Sequence, residues 1–154
     1  MLVKLLTNTL SVWDVAAALS DWVLALPGNE DVRSVNPLVG ETNDGWLNDI
    51  DAFHVTKAHV YQALESATAG PVAEGNVGGG TGMICHDFKG GIGTASRLVD
   101  SRSGRYTVGV LVQANYGLRD ELRIAGVPVG RELSEHRIYS ENDPNAADTG
   151  SIII

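Results

Sequence analysis

The chain has 154 residues, 44% apolar and 19% charged, a composition typical of one globular domain. Its 19 acidic residues outnumber its 11 lysines and arginines, and a net charge of −8 argues against electrostatic binding to nucleic acid or anionic membranes. No apolar run approaches the roughly 18 residues of a membrane span, and a single cysteine, Cys85, excludes an internal disulfide. The compartment stays open, with the cytoplasm favoured.

The first predicted element is an amphipathic helix from Val12 to Leu26, where apolar residues recur at helical spacing. Ser11 followed by Asp14 is typical of a capping box at its start, and Pro27-Gly28 ends it. The pattern therefore predicts a helix with one buried face.

A polar, turn-rich stretch from Asn29 to Asp51 follows and is predicted to be a loop. The next helix is predicted from Lys57 to Ala67, with Thr56 as its cap. Its inner face carries apolar residues at helical spacing, so it should also pack on one side.

Glycine dominates the next segment, where eight of the 18 glycines fall between Gly75 and Gly93. Strand-like residues interrupt it at Met83-Ile84-Cys85 and at Thr94-Ala95-Ser96. We expect tightly packed backbone that walls an active site, with several glycines at positive φ.

The second half of the chain is predicted to contain strands, which makes the fold class α/β. Tyr106 to Ala114 is a near-continuous apolar run, typical of a strand buried on both faces, and both helices are expected to pack on its sheet. Leu122 to Ile124 is predicted to be a shorter strand before a turn at Gly126-Val127-Pro128. Ser140 to Asp148 is predicted to be a mobile loop, and Ser151 to Ile154 begins another strand.

Several alternative sites are weak on chemical grounds. The glycine run ends in Thr81-Gly82-Met83 without the lysine of a phosphate-binding loop, and a strand follows where a dinucleotide fingerprint needs a helix. His54 and His59 lack the glutamate of a zinc-protease helix, so no metal is expected there. Cys85 lies in an apolar strand with no activating base beside it, as structural cysteines do.

The pair Gly150-Ser151 carries a different possibility. A serine at a new N-terminus can attack through its hydroxyl while its own α-amine, whose unperturbed pKa is near 8, accepts the proton. Cleavage before the serine needs a strained peptide, and glycine at the preceding position permits such conformations. By itself the pair is a common loop sequence.

Long strings in the chain resemble the L-aminopeptidase/D-esterase (DmpA-type) family, which includes the β-peptidyl aminopeptidases. The resemblance covers nearly the whole chain and places Gly150-Ser151 at the family's processing junction. The matching strings are Leu6–Ser11, Asn36–Thr42, Asp44–Asp49, Glu74–Cys85, Phe88–Arg97, Val112–Gly117 and Asp148–Ile154.

The resemblance implies part of a four-layer αββα sandwich like that of N-terminal-nucleophile hydrolases. Family members cut themselves before a serine, so residues 1–150 would be a partial α chain and residues 151–154 the start of a β chain. They form homo-oligomers and release N-terminal residues from peptides, amides or esters without a cofactor or metal. No nucleic acid or membrane partner is implied.

The same resemblance assigns roles within the site. Ser151 corresponds to the nucleophile and Asn115 to an oxyanion-stabilising amide, a donor typically worth a factor of about 10²–10³ in rate. Trp46 occupies an oxyanion- or substrate-binding position where the family usually has tyrosine. An indole N–H can still donate but cannot accept a hydrogen bond.

The family's supporting serine and glutamate fall beyond Ile154, so this chain is expected to be a fragment that is inactive by itself. The Gly150–Ser151 bond is expected to remain intact, because three isoleucines are too few to anchor it in a sheet. Two alternatives remain open: a catalytically inactive structural or interaction domain and a nucleotide-binding module.

Overall fold

The computed structural model describes residues 3–138 and 150–154 and has the predicted α/β class. Its helices are α1 (Val12–Leu24), α2 (Lys57–Glu65) and the short α3 (Val129–Glu132), with 3-10 turns at Thr9–Ser11, Ile50–Ala52, Gly78–Gly80 and Arg119–Glu121. Its strands are β1 (Lys4–Asn8), β2 (Leu38–Thr42), β3 (Ile84–Cys85), β4 (Phe88–Lys89), β5 (Gly91–Ser101), β6 (Gly104–Asn115) and β7 (Ser151–Ile153).

The apolar core lies between α1, α2 and the parallel pair β1–β2. Val15 and Ala18 of α1 and Val60 of α2 are at most 4% exposed and form one cluster. Leu5 and Val39, which are direct partners in the β1–β2 ladder, pack against that cluster. Because side chains alternate along strands, the other face of this pair is turned away from the helices.

That other face meets the antiparallel sheet β5–β6–β7. The side chain of Ile153 in β7 packs over Gly40 of β2, where a Cβ would lie 2.8 Å from its Cδ1. Gln113 of β6 donates through Nε2 to the Thr7 carbonyl oxygen at 3.3 Å and to the Thr42 hydroxyl. Within the described residues the order of layers is therefore helices, β1–β2 and then β5–β6–β7.

Both long helices are confirmed, but the sheet that they cover differs from the prediction. Helices α1 and α2 pack on β1–β2 rather than on the sheet containing residues 106–114. The apolar stripes correctly indicated a buried face, but periodicity within a helix says nothing about which strands lie opposite it.

The predicted burial of residues 106–114 on both faces is wrong for most of the strand. Tyr106 and Val108 are each 52% exposed. Strand β5 runs along one edge of β6, while β7 pairs only with Gln113–Asn115 on the other. Among the described residues, no strand pairs with the rest of that second edge.

Three local predictions also need correction. Strand β2 lies inside the stretch predicted to be a loop, and residues 122–124 form no strand, only an isolated bridge between Ile124 and Val127. Ser11 precedes α1 but makes no capping hydrogen bond, because its buried hydroxyl has no partner. The predicted loop from Ser140 to Asp148 lies outside the described residues.

Other local predictions are confirmed. Thr56 precedes α2, and its N–H donates to His59 Nδ1 at 3.1 Å. The turn before α3 has Ala125 and Gly126 at positive φ between the bridged residues. Among the described helices, none is long and apolar enough to cross a membrane.

Candidate active site

Ser151 opens strand β7 and is held by two N–H donors. It lies directly opposite Asn115 in the β6–β7 ladder, so the two side chains are cross-strand neighbours. Asn115 Nδ2 donates to Ser151 Oγ at 3.1 Å, and the backbone N–H of Asn43 donates to the same oxygen at 3.1 Å. The structure thus brings two of the predicted site residues into contact.

Asn115 is held in place by its other amide atom. The backbone N–H of Ile84 donates to Asn115 Oδ1 at 2.9 Å, and Asn115 is only 6% exposed. This bond fixes which end of the amide faces Ser151, since the oxygen is occupied and the NH₂ group is left for the serine. A donor fixed in this way needs little reorganisation during a reaction.

The isoleucines after Ser151 do anchor it, contrary to the expectation of an unanchored junction. Ile152 and Ile153 pair with Ala114 and Gln113, and Ile153 also packs between the sheets. A short strand suffices because β6 offers it a free edge and β2 an apolar face. The junction is therefore anchored, and the expectation of an intact Gly150–Ser151 bond loses its physical basis.

The remaining predicted site residues are Gly150, which directly precedes Ser151, and Trp46, which lies three residues after Asn43. Gly150 packs against Tyr116, whose Cβ would lie 3.4 Å from a Cβ built on the glycine. Trp46 lies in the turn that follows Asn43 and is 45% exposed. The contacts of Ser151 Oγ come from Asn43 and Asn115, so the oxyanion or substrate role of Trp46 stays a prediction.

The sequence does not predict the Asn43 backbone N–H as a donor to Ser151. Its contribution is a backbone N–H, which every residue except proline has, so residue type gives no signal. The only sequence feature at this point is the Asn43-Asp44-Gly45 turn. A turn after a strand end can expose a backbone donor but does not say toward which group.

The glycine segment is packed backbone, as predicted, but positive φ occurs at only two of its glycines. These are Gly75 and Gly78. A Cβ on Gly91 would lie 2.6 Å from the backbone carbonyl oxygen of Gly75, so the two backbones are in direct contact. Close approach, more than unusual φ, explains glycine here.

Lys89 gives this segment a polarity opposite to that of a phosphate site. Its Nζ donates to the backbone carbonyls of Gly80, Met83 and Gly90 at 3.0, 3.1 and 2.7 Å. Burial lowers the pKa of the Lys89 ammonium. A phosphate cradle turns N–H groups toward the ligand, whereas these carbonyls converge on a cation.

A cavity of about 700 Å³ lies beside β1. Gly78, Gly79 and Gly82 of the glycine segment line it, together with apolar residues such as Leu5, Val15 and Val60. Among the described lining residues are Asp44, next to Asn43, and four successive residues of β1, but not Ser151. An active-site wall made by the glycine segment therefore remains a prediction.

Cysteine and metal chemistry find little support in the described part of the chain. Burial raises the pKa of the Cys85 thiol, which disfavours the reactive thiolate. No cluster of three or more potential metal ligands occurs in residues 3–138 and 150–154. His59 is engaged at the start of α2.

Comparison with known proteins gives consistent similarities. The model of peptidase family S58 matches residues 4–154. A β-peptidyl aminopeptidase, BapA, of Sphingosinicella microcystinivorans is 53% identical over 132 residues, which is 84% of this chain and 32% of that protein. Two solved structures extend the similarity to the fold.

The first structure is the L-aminopeptidase D-Ala-esterase/amidase of Ochrobactrum anthropi, described as a prototype of the serine aminopeptidases with a variant of the Ntn hydrolase fold. It has a TM-score of 0.81 and 46% identity over 86% of this chain and 38% of its own. The second is a β-aminopeptidase of Burkholderia sp., with a TM-score of 0.78 and 57% identity over 85% of this chain and 37% of its own. The chain spans about a third of the length of these relatives.

Proposed function

The chain belongs to peptidase family S58, and we propose that it is the nucleophile-bearing part of a self-processing serine aminopeptidase or amidase. In this proposal residues 1–150 are a partial α chain, and Ser151 becomes the first residue of a β chain. The observation that carries it is the pair of N–H donors on Ser151 Oγ, from Asn43 and Asn115.

The two donors suggest how the first step occurs. Both lone pairs of Ser151 Oγ accept a hydrogen bond at rest, and attack on a carbonyl carbon needs one of them. Attack gives up one of these two hydrogen bonds. The Asn115 amide stays fixed by the bond from Ile84, and its NH₂ group, which carries two N–H bonds, remains in place to donate to the developing oxyanion, the role that family resemblance gives it.

Self-cleavage then proceeds as an acyl shift. A bond forms between Ser151 Oγ and the Gly150 carbonyl carbon, the carbon–nitrogen bond breaks, and the hydroxyl proton goes to the departing nitrogen. Water hydrolyses the resulting ester, which leaves a carboxylate on Gly150 and a free α-amine on Ser151. That amine, with an unperturbed pKa near 8, can serve as the base in later turnovers.

We propose that the longer protein hydrolyses aminoacyl peptides, amides or esters through an acyl-enzyme on Ser151. The printed activities of the relatives in the comparison support this class. Turnover of external substrates is assigned to the longer protein because the chain spans about a third of those relatives. Homo-oligomeric assembly, cytoplasmic location and a substrate contact by Trp46 belong to the same proposal.

Trapping the ester tests the proposal. Hydroxylamine at neutral pH attacks esters much faster than peptides, so the chain should yield a species that ends in a Gly150 hydroxamate. Ser151→Ala is the matched control and should remain uncut. A structural or interaction domain predicts no hydroxamate in either protein, and that outcome would favour the non-catalytic alternative.

A further inference from the structure

A two-residue turn joins β3 to β4 in an unusual backbone conformation. Cys85 pairs with Phe88, and the residues between them, His86 and Asp87, have φ of 50° and 60°. Hairpin turns with two positive φ values favour asparagine and glycine. Histidine and aspartate adopt positive φ less readily than glycine does, so the contacts that hold this turn are informative.

Asp87 contacts a buried arginine, Arg119, which also donates hydrogen bonds to a distant part of the chain. Arg119 is 2% exposed, and its guanidinium lies 3.8 Å from the Asp87 carboxylate and 3.5 Å from the centre of the Phe88 ring. Its nitrogens donate to the carbonyls of Leu133 at 2.9 Å, Glu135 at 3.3 Å and His136 at 3.4 Å. A buried charge is costly unless it is paired and hydrogen-bonded, and Arg119 meets this condition through Asp87 and the backbone carbonyls of residues 133–136.

Asp87 also binds Ile138, the last residue that the structure describes before Gly150. The backbone N–H of Ile138 donates to Asp87 Oδ1 at 2.8 Å. Asp87 is 5% exposed, so this charge-assisted bond is shielded from water. Asp87 and Arg119 together therefore hold residues 133–138.

His86 connects the same turn, through Tyr116, to the residue directly before Ser151. The backbone N–H of His86 donates to the Tyr116 carbonyl oxygen at 2.8 Å, and the His86 ring meets the Tyr116 ring edge-on with centroids 5.2 Å apart. Tyr116 is the residue against which Gly150 packs. One turn thus contacts, directly or through one residue, both Ile138 and Gly150.

We propose that His86, Asp87, Tyr116 and Arg119 form a brace that positions the amino side of the Gly150–Ser151 bond for self-cleavage. This inference rests on the proposed function. Strand pairing and the two donors fix Ser151, but an acyl shift also needs the Gly150 carbonyl at a defined distance from Oγ. The brace residues are positioning residues, since they act through Tyr116 and residues 133–138 rather than on the reacting atoms.

The test combines hydrogen exchange with the rate of cleavage, in Asp87→Ala and Asp87→Asn. Loss of the carboxylate in Asp87→Ala should speed amide exchange in residues 150–153 about tenfold and slow formation of the species ending at Gly150 by a similar factor. Asp87→Asn keeps an oxygen that can accept from Ile138, so it should recover most of the rate.

Two matched controls separate positioning from stability. Asp100→Ala removes an exposed ion pair with Arg105, 2.8 Å long, at the far end of β5–β6, and should change neither quantity. Val60→Ala weakens the helix core and shows what general loss of stability does to cleavage. If Asp87→Ala leaves exchange at residues 150–153 unchanged, or slows cleavage no more than Val60→Ala does, the brace is overturned. If the wild-type chain never cleaves, the proposed function fails, and the exchange measurement alone still decides whether the brace holds Gly150.

Discussion

At the scale of single residues, the site depends on the side-chain amide of Asn115, which makes two different hydrogen bonds. Asn115 accepts from Ile84 through Oδ1 and donates to Ser151 through Nδ2. The acceptor bond orients the group, and the donor bond is the one that chemistry would use. Substitutions that separate these jobs are therefore more informative than truncation alone.

Replacing Asn115 should separate orientation from donation. Asn115→Ala should slow cleavage at Gly150–Ser151 by about 10²–10³-fold and destabilise the fold by about 1–3 kcal/mol, because the buried Ile84 N–H loses its acceptor. Asn115→Asp retains the acceptor but not the donor, so it should slow cleavage with a smaller change in unfolding free energy. Rates come from intact mass and stabilities from urea unfolding; a fast Asn115→Asp variant would show that the donor is dispensable.

At the scale of elements, the sequence predicts those helices and strands that a pattern of apolar residues can reveal. The helices α1 and α2 came from apolar repeats, and a strand at residues 106–114 came from an apolar run. Strand β2 was missed because its five residues include Gly40 and Glu41 and lie among turn signals. Their strand conformation comes from pairing with β1, a contact more than thirty residues away in the chain, which local propensity cannot express.

Strand β7 is a second element whose formation depends on a distant part of the chain, in this case β6. The three isoleucines at 152–154 are too few to anchor the junction by the sequence argument, yet the edge of β6 pairs with Ile152 and Ile153. The family strings singled out Ser151 and Asn115, which the structure brings into contact, and their chemical roles stay predictions. The Asn43 donor was not, because a backbone N–H leaves no trace in residue type.

Close packing of the glycine segment predicts unequal effects for two glycines of β5. Gly91→Ala would place a Cβ within 2.6 Å of the Gly75 carbonyl oxygen and should destabilise the fold by about 1–3 kcal/mol. Gly93→Ala is the matched control, since no atom lies within 4 Å of the new Cβ, and it should stay within about 0.5 kcal/mol of wild type. Equal denaturant midpoints for the two variants would contradict this packing.

The exposed pair between the helices predicts a pH dependence. Lys57 Nζ donates to Asp21 at 2.6 Å, and this bond raises the pKa of Lys57. A raised pKa in the folded state means that the stabilisation is present below the unfolded pKa of about 10.4 and is lost as the pH rises through the folded value. Lys57→Met should therefore lower the melting temperature at pH 8 and low salt. A difference that persists unchanged at pH values well above 10.4 would rule out this ion pair as its source.

At the scale of the whole molecule, the outer part of β5–β6 presents an uncovered apolar face. Val99, Tyr106, Val108 and Val110 lie on one side of this ribbon and are 39–52% exposed. An apolar strand with a free edge tends to pair with another chain. The apolar run that predicted burial thus identifies a surface that residues 3–138 and 150–154 leave exposed.

Self-association of the 154-residue chain is the expected consequence. Sedimentation over a concentration series should show mass rising above the monomer, and Val108→Lys should shift the chain toward monomer. Thr107→Lys adds the same charge on the opposite face of β6 and serves as the control. A wild-type chain that stays monomeric at all concentrations, or an equal effect of the two lysines, would show that this face is inert.

The proposed cleavage by Ser151 of the bond before it is tested most directly by intact mass measured on aged protein. The geometry predicts a slowly appearing species that ends at Gly150, together with the tetrapeptide Ser-Ile-Ile-Ile, and neither should form from Ser151→Ala. A single unchanged mass after prolonged incubation, or the same cleavage in Ser151→Ala, would contradict the claim.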